Sequence, residues 1–348
     1  MADTGPASTL SFPFPVPPGP GEVVEVADGL LWARIALPFQ LDHVNVYLIE
    51  DGDGYAVVDT GIGDAATMKA WEALVDGPLK DRTLTRLIAT HFHPDHIGLA
   101  GWLCQRFGLD LLTSQTSYLA CLNISLSPGA LEAQPYRNFY RRHGMSNEAA
   151  ERVATQGHSY LRMVTPLPAT FSRLVAGDSL TIGRRRFDIL TGDGHAAEQL
   201  MLYCADERIF LAADQVLARI SPNIGVWAVD PSGDPLGLYL RSLAALSRDI
   251  PADVLVLPGH QLPFVGLRTR CEELTRHHHE RCRRIVEAAR QAPSSVADLV
   301  PVVFERPLDA HQMSFAFSEV HAHVNRLVRT GDLVWTADPD GTARVVVG

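Results

Sequence analysis

The run Thr90-His91-Phe92-His93-Pro94-Asp95-His96 constrains this chain more than any other stretch. It places three imidazoles and a carboxylate within six residues. It follows Arg86-Leu87-Ile88-Ala89-Thr90, an apolar run between polar residues that reads as a buried strand. Pro94 fixes its own φ and has no N–H for a ladder, so the chain must turn at the end of that strand. Neutral imidazole and carboxylate suit zinc, manganese or iron. In an extended turn side chains alternate, so His91 and His93 share one side while Asp95 and His96 fall to another. The spacing suits two neighbouring metals better than one.

A His-rich surface loop would not account for the partners further along. His195 stands in Gly192-Asp193-Gly194-His195, after the apolar run Phe187-Asp188-Ile189-Leu190. Asp214 ends the run that begins at Ile209, and His260 ends Val254-Leu255-Val256-Leu257-Pro258-Gly259-His260. Each donor follows a hydrophobic run of strand length.

His-x-His-x-Asp-His, then a Gly-His, an Asp and a second Gly-His after successive strands, resembles the metallo-β-lactamase superfamily, with a glyoxalase II-like metal site. The resemblance runs from about residue 22 to 268 and implies an α/β fold, the αββα sandwich. It further implies that His91, His93 and His195 hold one metal, that Asp95, His96 and His260 hold the other, and that Asp214 bridges both. Asp59, in Val57-Val58-Asp59-Thr60-Gly61, would lie beneath the metals and accept a proton from a ligand imidazole. The cofactors implied are two divalent metal ions, zinc by ligand type, with iron or manganese fitting the same donors. The activity implied is that of a dinuclear hydrolase in which a metal-bridging hydroxide attacks a carbonyl, with catalytic roles for Asp95 and Asp59. Two departures stand out. Gly194-His195-Ala196-Ala197-Glu198-Gln199 occupies the place of the family's Gly-His-Thr-Pro-Gly-His, and Ala213-Asp214 that of Gly-Asp. The first weakens any transfer of the glyoxalase II substrate.

Composition narrows the class. A length of 348 residues suits one large domain plus a small one. The net charge of -10 disfavours nucleic acid and anionic membranes as partners. Five scattered cysteines form no CxxC pair, as expected of reduced thiols in a cytoplasmic protein. No basic start with an apolar stretch after it suggests a signal peptide, and no apolar run is long enough to span a membrane.

Three regions are expected. Residues 1–20, rich in Pro and Gly, read as an extended arm, either a loosely held tail or a contact in a homodimer. Residues 21–268 read as the catalytic domain, with strands from Val23, a helix over Asp64–Leu74, and a final strand over Asp253–Leu257. A helical insertion over about 115–170, with helices at Tyr136–His143 and Asn147–Val164, reads either as a lid over the site or as a solvated insertion. Its Arg137, Arg141, Arg142 and Arg162 would suit an acyl substrate such as a coenzyme A thioester. His143 and His158 lack ligand spacing and read as structural, and Arg184-Arg185-Arg186 reads as a solvated hairpin turn. Residues 269–348, helices followed by a hairpin, resemble a small winged-helix-like C-terminal domain with a packing or dimerisation role. Within it His277-His278-His279 reads as a solvated helix face, and His311, His321 and His323 have no site reading.

Three function classes follow: hydrolysis of a thioester, ester or lactone; a phosphodiesterase or ribonuclease of the same fold; and a non-enzymatic binding or regulatory protein. The complete donor set disfavours the third and the acidic charge disfavours the second.

Overall fold

The structure, a computed structural model, describes residues 10–127, 129, 134–154 and 157–348. Seven strands lie in sequence order in a first sheet: β1 (Val24–Ala27), β2 (Leu30–Ala36), β3 (His43–Asp51), β4 (Gly54–Val58), β5 (Thr83–Ile88), β6 (Asp110–Thr113) and β7 (Ser172–Arg173). The first four form an antiparallel meander and the rest pair in parallel. Parallel neighbours need crossovers. Helix α1 (Ala65–Asp76) supplies one, capped by Asp64, whose carboxylate accepts from Thr67 N at 2.7 Å. The four-residue α2 (Pro94–Ile97) and α3 (Ala100–Phe107) supply the next.

Between β6 and β7 lie α4 (Gln115–Leu126), α5 (Gln134–Arg142), α6 (Asn147–Ala154) and α7 (Gly157–Arg162). The single helix expected over Asn147–Val164 is thus two described pieces. The second sheet has the order β13-β12-β11-β10-β9-β8, built from β8 (Ser179–Ile182), β9 (Arg185–Gly192), β10 (Gln199–Cys204), β11 (Ile209–Ala213), β12 (Leu255–Pro258) and β13 (Phe264–Val265). Only β11 and β12 are parallel among these pairs, joined through α8 (Pro235–Asp249). β12 is not the last strand of the sheet, because the two-residue β13 is too short to leave a periodic signal.

The sheets pack face to face. Trp32, Tyr47, Ile49 and Val58 of the first meet Phe187, Ile189, Leu200 and Leu202 of the second. Phe187 is fully buried there, which contributes about 1.5–3 kcal/mol by the hydrophobic effect. Successive residues of β3 point to opposite faces, and both are covered: Tyr47 and Ile49 inward, Val44, Val46 and Leu48 towards α1 and α3. The outer face of the second sheet presents Met201, Phe210 and Val256 to α8 and to α9 (Leu267–Gln291), α10 (Val296–Val303) and α11 (Ala310–Thr330). The layering is α/β/β/α. The hairpin β14 (Leu333–Ala337) and β15 (Ala343–Val347) follows Gly331, which ends α11 at φ +84°. Phe139 and Tyr140 of α5 share one core with Phe317 of α11 and Phe210 of β11, so the insertion and the C-terminal helices are packed on the same sheet.

Three readings are corrected. The arm is not a loose tail over its described part: Ser11 bridges Val265 through 3.1 and 2.9 Å backbone hydrogen bonds, and the Arg219 guanidinium covers Phe12. Residues 1–9 lie outside the described residues. The His277–His279 face is solvated only at its flanks, since His278 is fully buried against α11. Of the three arginines at the β8–β9 turn, Arg185 is buried and paired with Glu207 at 2.7 Å; the strand alternation turns it inward. The side chains of His158 and His311 lie outside the described residues.

Candidate metal centre

The His run begins two residues after β5 ends and becomes helical at Pro94, where the missing N–H costs nothing. The turn is therefore shorter than the extended one expected, but it still separates the two donor sets. His91, His93 and His195 form one group, Asp95, His96 and His260 another, and His91, His96 and Asp214 a third between them. In each the donor atoms lie within 4.8 Å of one another. All seven donor residues read from the sequence come together.

Asp59 directly follows β4 at φ +64°, a left-handed position that an Asp tolerates better than most residues. Its Oδ1 accepts from Thr90 N at 2.8 Å, and its Oδ2 accepts from Thr90 Oγ1 at 2.9 Å. The same Oδ2 lies 2.8 Å from His96 Nδ1. Asp59 thus grips the root of the His run and one imidazole within it.

The hydrogen-bond partners fix which ring nitrogens face inward. A backbone carbonyl only accepts. His195 Nδ1 therefore donates to Asn223 O at 2.9 Å, and His260 Nδ1 donates to His43 O at 2.7 Å. His96 Nδ1 donates to Asp59, and His91 Nδ1, 3.0 Å from Thr90 Oγ1, donates to a hydroxyl already committed to Asp59. In the neutral imidazole each of these four residues keeps its Nε2 lone pair for the centre.

Those lone pairs crowd. His93 Nδ1 lies 3.0 Å from both His91 Nε2 and His195 Nε2. Asp214 Oδ2 is 3.4 Å from His195 Nε2 and 3.2 Å from His260 Nε2, while its Oδ1 is 3.5 Å from His96 Nε2. Among the described residues, His96 Nε2 and Asp214 Oδ1 are buried with no hydrogen-bond partner. A buried polar atom left unpaired costs about 1–3 kcal/mol, and more when charged. Inward-facing lone pairs with two orphaned atoms among them are the arrangement a cation satisfies, so the residues fit a pair of divalent ions.

The two sets differ electrostatically. Burial, then the neighbouring imidazoles, hold His91 well below the ordinary histidine range, and burial and His195 hold His93 down to about 3. His96 and His260 face carboxylates. Burial lowers both, but Asp214 and Asp95 overcome it and raise His96 well above the ordinary range and His260 to about 10. Burial opposes the charge on Asp214 and Asp95 too, yet the facing histidines keep both carboxyls below the usual carboxylate range.

Some supporting residues gave no motif to read. Tyr47 Oη and Asn45 Nδ2 donate to Pro258 O at 2.8 and 2.9 Å and hold the turn that carries His260. Gly259 is required there, since a Cβ would land on Asp214 Oδ1 and within 2.9 Å of His96 Cε1. Pro258-Gly259-His260 could have signalled that need. Tyr160 of α7 donates to Phe92 O at 2.6 Å, bracing the His run from the insertion. Two of the insertion arginines are engaged locally, Arg137 with Glu151 at 2.9 Å and Arg162 with Ser159 at 3.0 Å.

Residues 40–260 match the metallo-beta-lactamase superfamily, and residues 282–347 match the metallo-beta-lactamase-like, C-terminal domain. A beta-lactamase domain protein from Burkholderia ambifaria shares 36% identity, with 97% of this chain and 98% of that one covered at a TM-score of 0.90. A metallo-beta-lactamase family protein from Thermus thermophilus shares 28% identity over 92% and 99% of the two chains, at a TM-score of 0.78. The chain is also 26% identical over 250 residues to a linear primary-alkylsulfatase from a Pseudomonas strain, covering 66% of this chain but only 43% of the sulfatase. Among the described residues, no helix is long and apolar enough to cross a membrane.

Proposed function

The chain belongs to the metallo-β-lactamase superfamily, and from that premise we propose that it hydrolyses a carbonyl substrate, a thioester, ester or lactone, with two divalent metal ions. The observation that carries this reading is the reach of Asp214, whose Oδ2 faces both His195 of the first set and His260 of the second, while its Oδ1 faces His96 of the second. His91, His93 and His195 would hold one ion, Asp95, His96 and His260 the other, and Asp214 would serve both. Bound there, the ions would supply Lewis acidity and lower the pKa of water from about 16 towards about 7. Zinc is the first metal to test.

The chain's own residues do the rest. Asp59 and the carbonyls of Asn223 and His43 keep three rings oriented with their lone pairs inward. Asp95 has a side chain 19% exposed, against 7% for Asp214. It would hold the second ion with His96 and His260 on the more open side of the centre. An acyl thioester such as a coenzyme A ester is the substrate class to try first.

A second reading, cleavage of a sulfate ester, rests on the alkylsulfatase match. Phosphodiester cleavage is disfavoured for long nucleic acid by the net charge of -10. The test is a panel on metal-analysed protein: acyl thioesters, lactones, a linear alkyl sulfate, bis(p-nitrophenyl) phosphate and a short single-stranded RNA, each beside His93→Ala. Thioester or lactone turnover that vanishes in the variant supports the proposal. Turnover confined to the sulfate or phosphate substrates overturns it.

A further inference from the structure

The segment that follows Asp214 is held along its length by the C-terminal helices. Arg270 of α9, itself buried, donates to Leu217 O at 2.7 Å and Ile220 O at 3.0 Å. Ser221 Oγ lies 3.1 Å from His278 Nε2, His278 Nδ1 lies 3.1 Å from His323 Nε2, and His323 Nδ1 lies 2.7 Å from Glu319 O. The terminal carbonyl only accepts, which sets the direction of the whole chain: His323 donates to Glu319 O, His278 to His323, and Ser221 to His278. Val226 N donates to Ser318 O at 3.0 Å.

Asn223 sits in the middle of these attachments and faces both ways. Its carbonyl accepts from His195 Nδ1 at 2.9 Å. Its Nδ2 donates to Phe315 O and to Glu319 Oε2 of α11, each at 3.3 Å. Glu319 is buried and ion-paired to Arg281 of α9, whose guanidinium lies over Phe304 at 4.9 Å from the ring centre. The acceptor that fixes the tautomer and tilt of His195 is therefore anchored to two helices far from it in sequence.

We infer that Asn223 is a positioning residue for the metal centre. Its carbonyl orients His195 while its amide, gripped by Phe315 and Glu319, makes the C-terminal helices a working part of that centre. This rests on the reading of His195 as a metal donor. Residues that orient a ligating histidine typically affect metal affinity by about 10–100-fold.

The test uses the full chain stripped of metal and titrated with Zn2+ against a chromophoric chelator, then with Co2+ to record its visible absorption. Asn223→Ala keeps the backbone carbonyl and removes only the anchor; Glu319→Ala removes the anchor's partner; Glu319→Gln keeps an amide oxygen that Asn223 can still donate to. The expected result is that Asn223→Ala and Glu319→Ala weaken one of two bound ions by about 10–100-fold. The same two changes alter the absorption of Co2+ in that site and leave the other ion unchanged, while Glu319→Gln stays near wild type. Unchanged affinities, equal weakening of both ions, or a Glu319→Gln defect as large as that of Glu319→Ala would each overturn the inference. Wild-type protein that takes up no Zn2+ or Co2+ would instead overturn the metal centre itself.

Discussion

Asp59 Oδ2 and His96 Nδ1 are 2.8 Å apart, both buried, one at the end of β4 and the other in the helical turn beyond β5. The same carboxylate holds the amide and hydroxyl of Thr90, so one side chain fixes both ends of the His run. Asp59→Asn keeps the shape and suits the left-handed backbone, but it removes the charge that orients His96. Metal affinity should fall about 10–100-fold in the Asn variant with little loss of fold. Asp59→Ala should also lose about 1–3 kcal/mol of stability, because Thr90 N–H is then buried without a partner. Chelator competition and urea unfolding read the two effects separately. An Asn variant with wild-type affinity would remove Asp59 from the centre.

Asp214 should be harder to lose than any one histidine. Each imidazole belongs to one side of the centre, whereas the two oxygens of Asp214 face both. Metal analysis of Asp214→Ala should find fewer bound ions than in His93→Ala, and no turnover. Two tightly bound ions in the Asp214 variant would contradict the bridging geometry.

Gly259 offers a sharper probe of the same carboxylate. A methyl group there meets Asp214 Oδ1 and, at 2.9 Å, the edge of His96, so it crowds two donor residues while changing the identity of neither. Gly259→Ala should therefore displace Asp214 and lower metal content, while a thermal melt of the metal-free protein moves little. A melt that collapses with metal binding intact would place the strain in the fold.

Much of this centre was legible because its donors end strands, and strands write themselves as apolar runs. His91, His195, Asp214 and His260 all follow such runs at one edge of the sandwich. The layering was legible for the same reason, since β11 and the Val46–Ile49 part of β3 are buried on both faces and read as continuous apolar stretches. What failed to show was anything carried by the backbone or by a single buried polar residue. Asn223 acts through its carbonyl, which has no sequence signature. His278 looks like part of a polar His-His-His run, and only the packing of α9 on α11 reveals that one of the three is interior. Arg185 was hidden in an arginine cluster for the same reason. The arm docks through a bridge to a two-residue strand and through Phe12 beneath Arg219, neither of which leaves a periodic signal.

Metal uptake should release protons and strengthen with pH. In the metal-free protein His260 titrates near 10 and His96 also lies well above the ordinary range, because Asp214 and Asp95 outweigh their burial. Both therefore hold protons at neutral pH, and a metal must displace them from the same nitrogens. Raising the pH towards about 10 removes that competition. Titration calorimetry in buffers of differing ionisation enthalpy should show proton release on Zn2+ binding at neutral pH. It should also show tighter binding at pH 9 than at pH 6. No proton release, or binding that weakens as pH rises, would contradict the arrangement.

The buried histidines of the C-terminal helices and of the insertion predict acid sensitivity that owes nothing to metal. Burial holds His278 and His321 well below the ordinary range, His323 down to about 3, and His143 below its usual value. These folded-state values lie beneath the unfolded value of about 6.5, so the unfolded chain binds more protons on acidification. The stability they contribute is therefore present above about pH 6.5 and lost as pH falls from there towards about 3. Each pH unit between folded and unfolded values corresponds to about 1.4 kcal/mol, against a total stability of about 5–15 kcal/mol for a typical domain. His321 offers the cleanest substitution: its ring stacks on Phe139 at 5.0 Å and lies 4.3 Å from that of His143, and its Nδ1 has no hydrogen-bond partner among the described residues. His321→Phe removes the titrating group and keeps an aromatic ring in place. Its acid-unfolding midpoint, followed by circular dichroism in EDTA, should move to lower pH than wild type. An unchanged midpoint would mean that acid opens the molecule elsewhere, at His91 and His93, where protonation also meets a buried, crowded imidazole cluster.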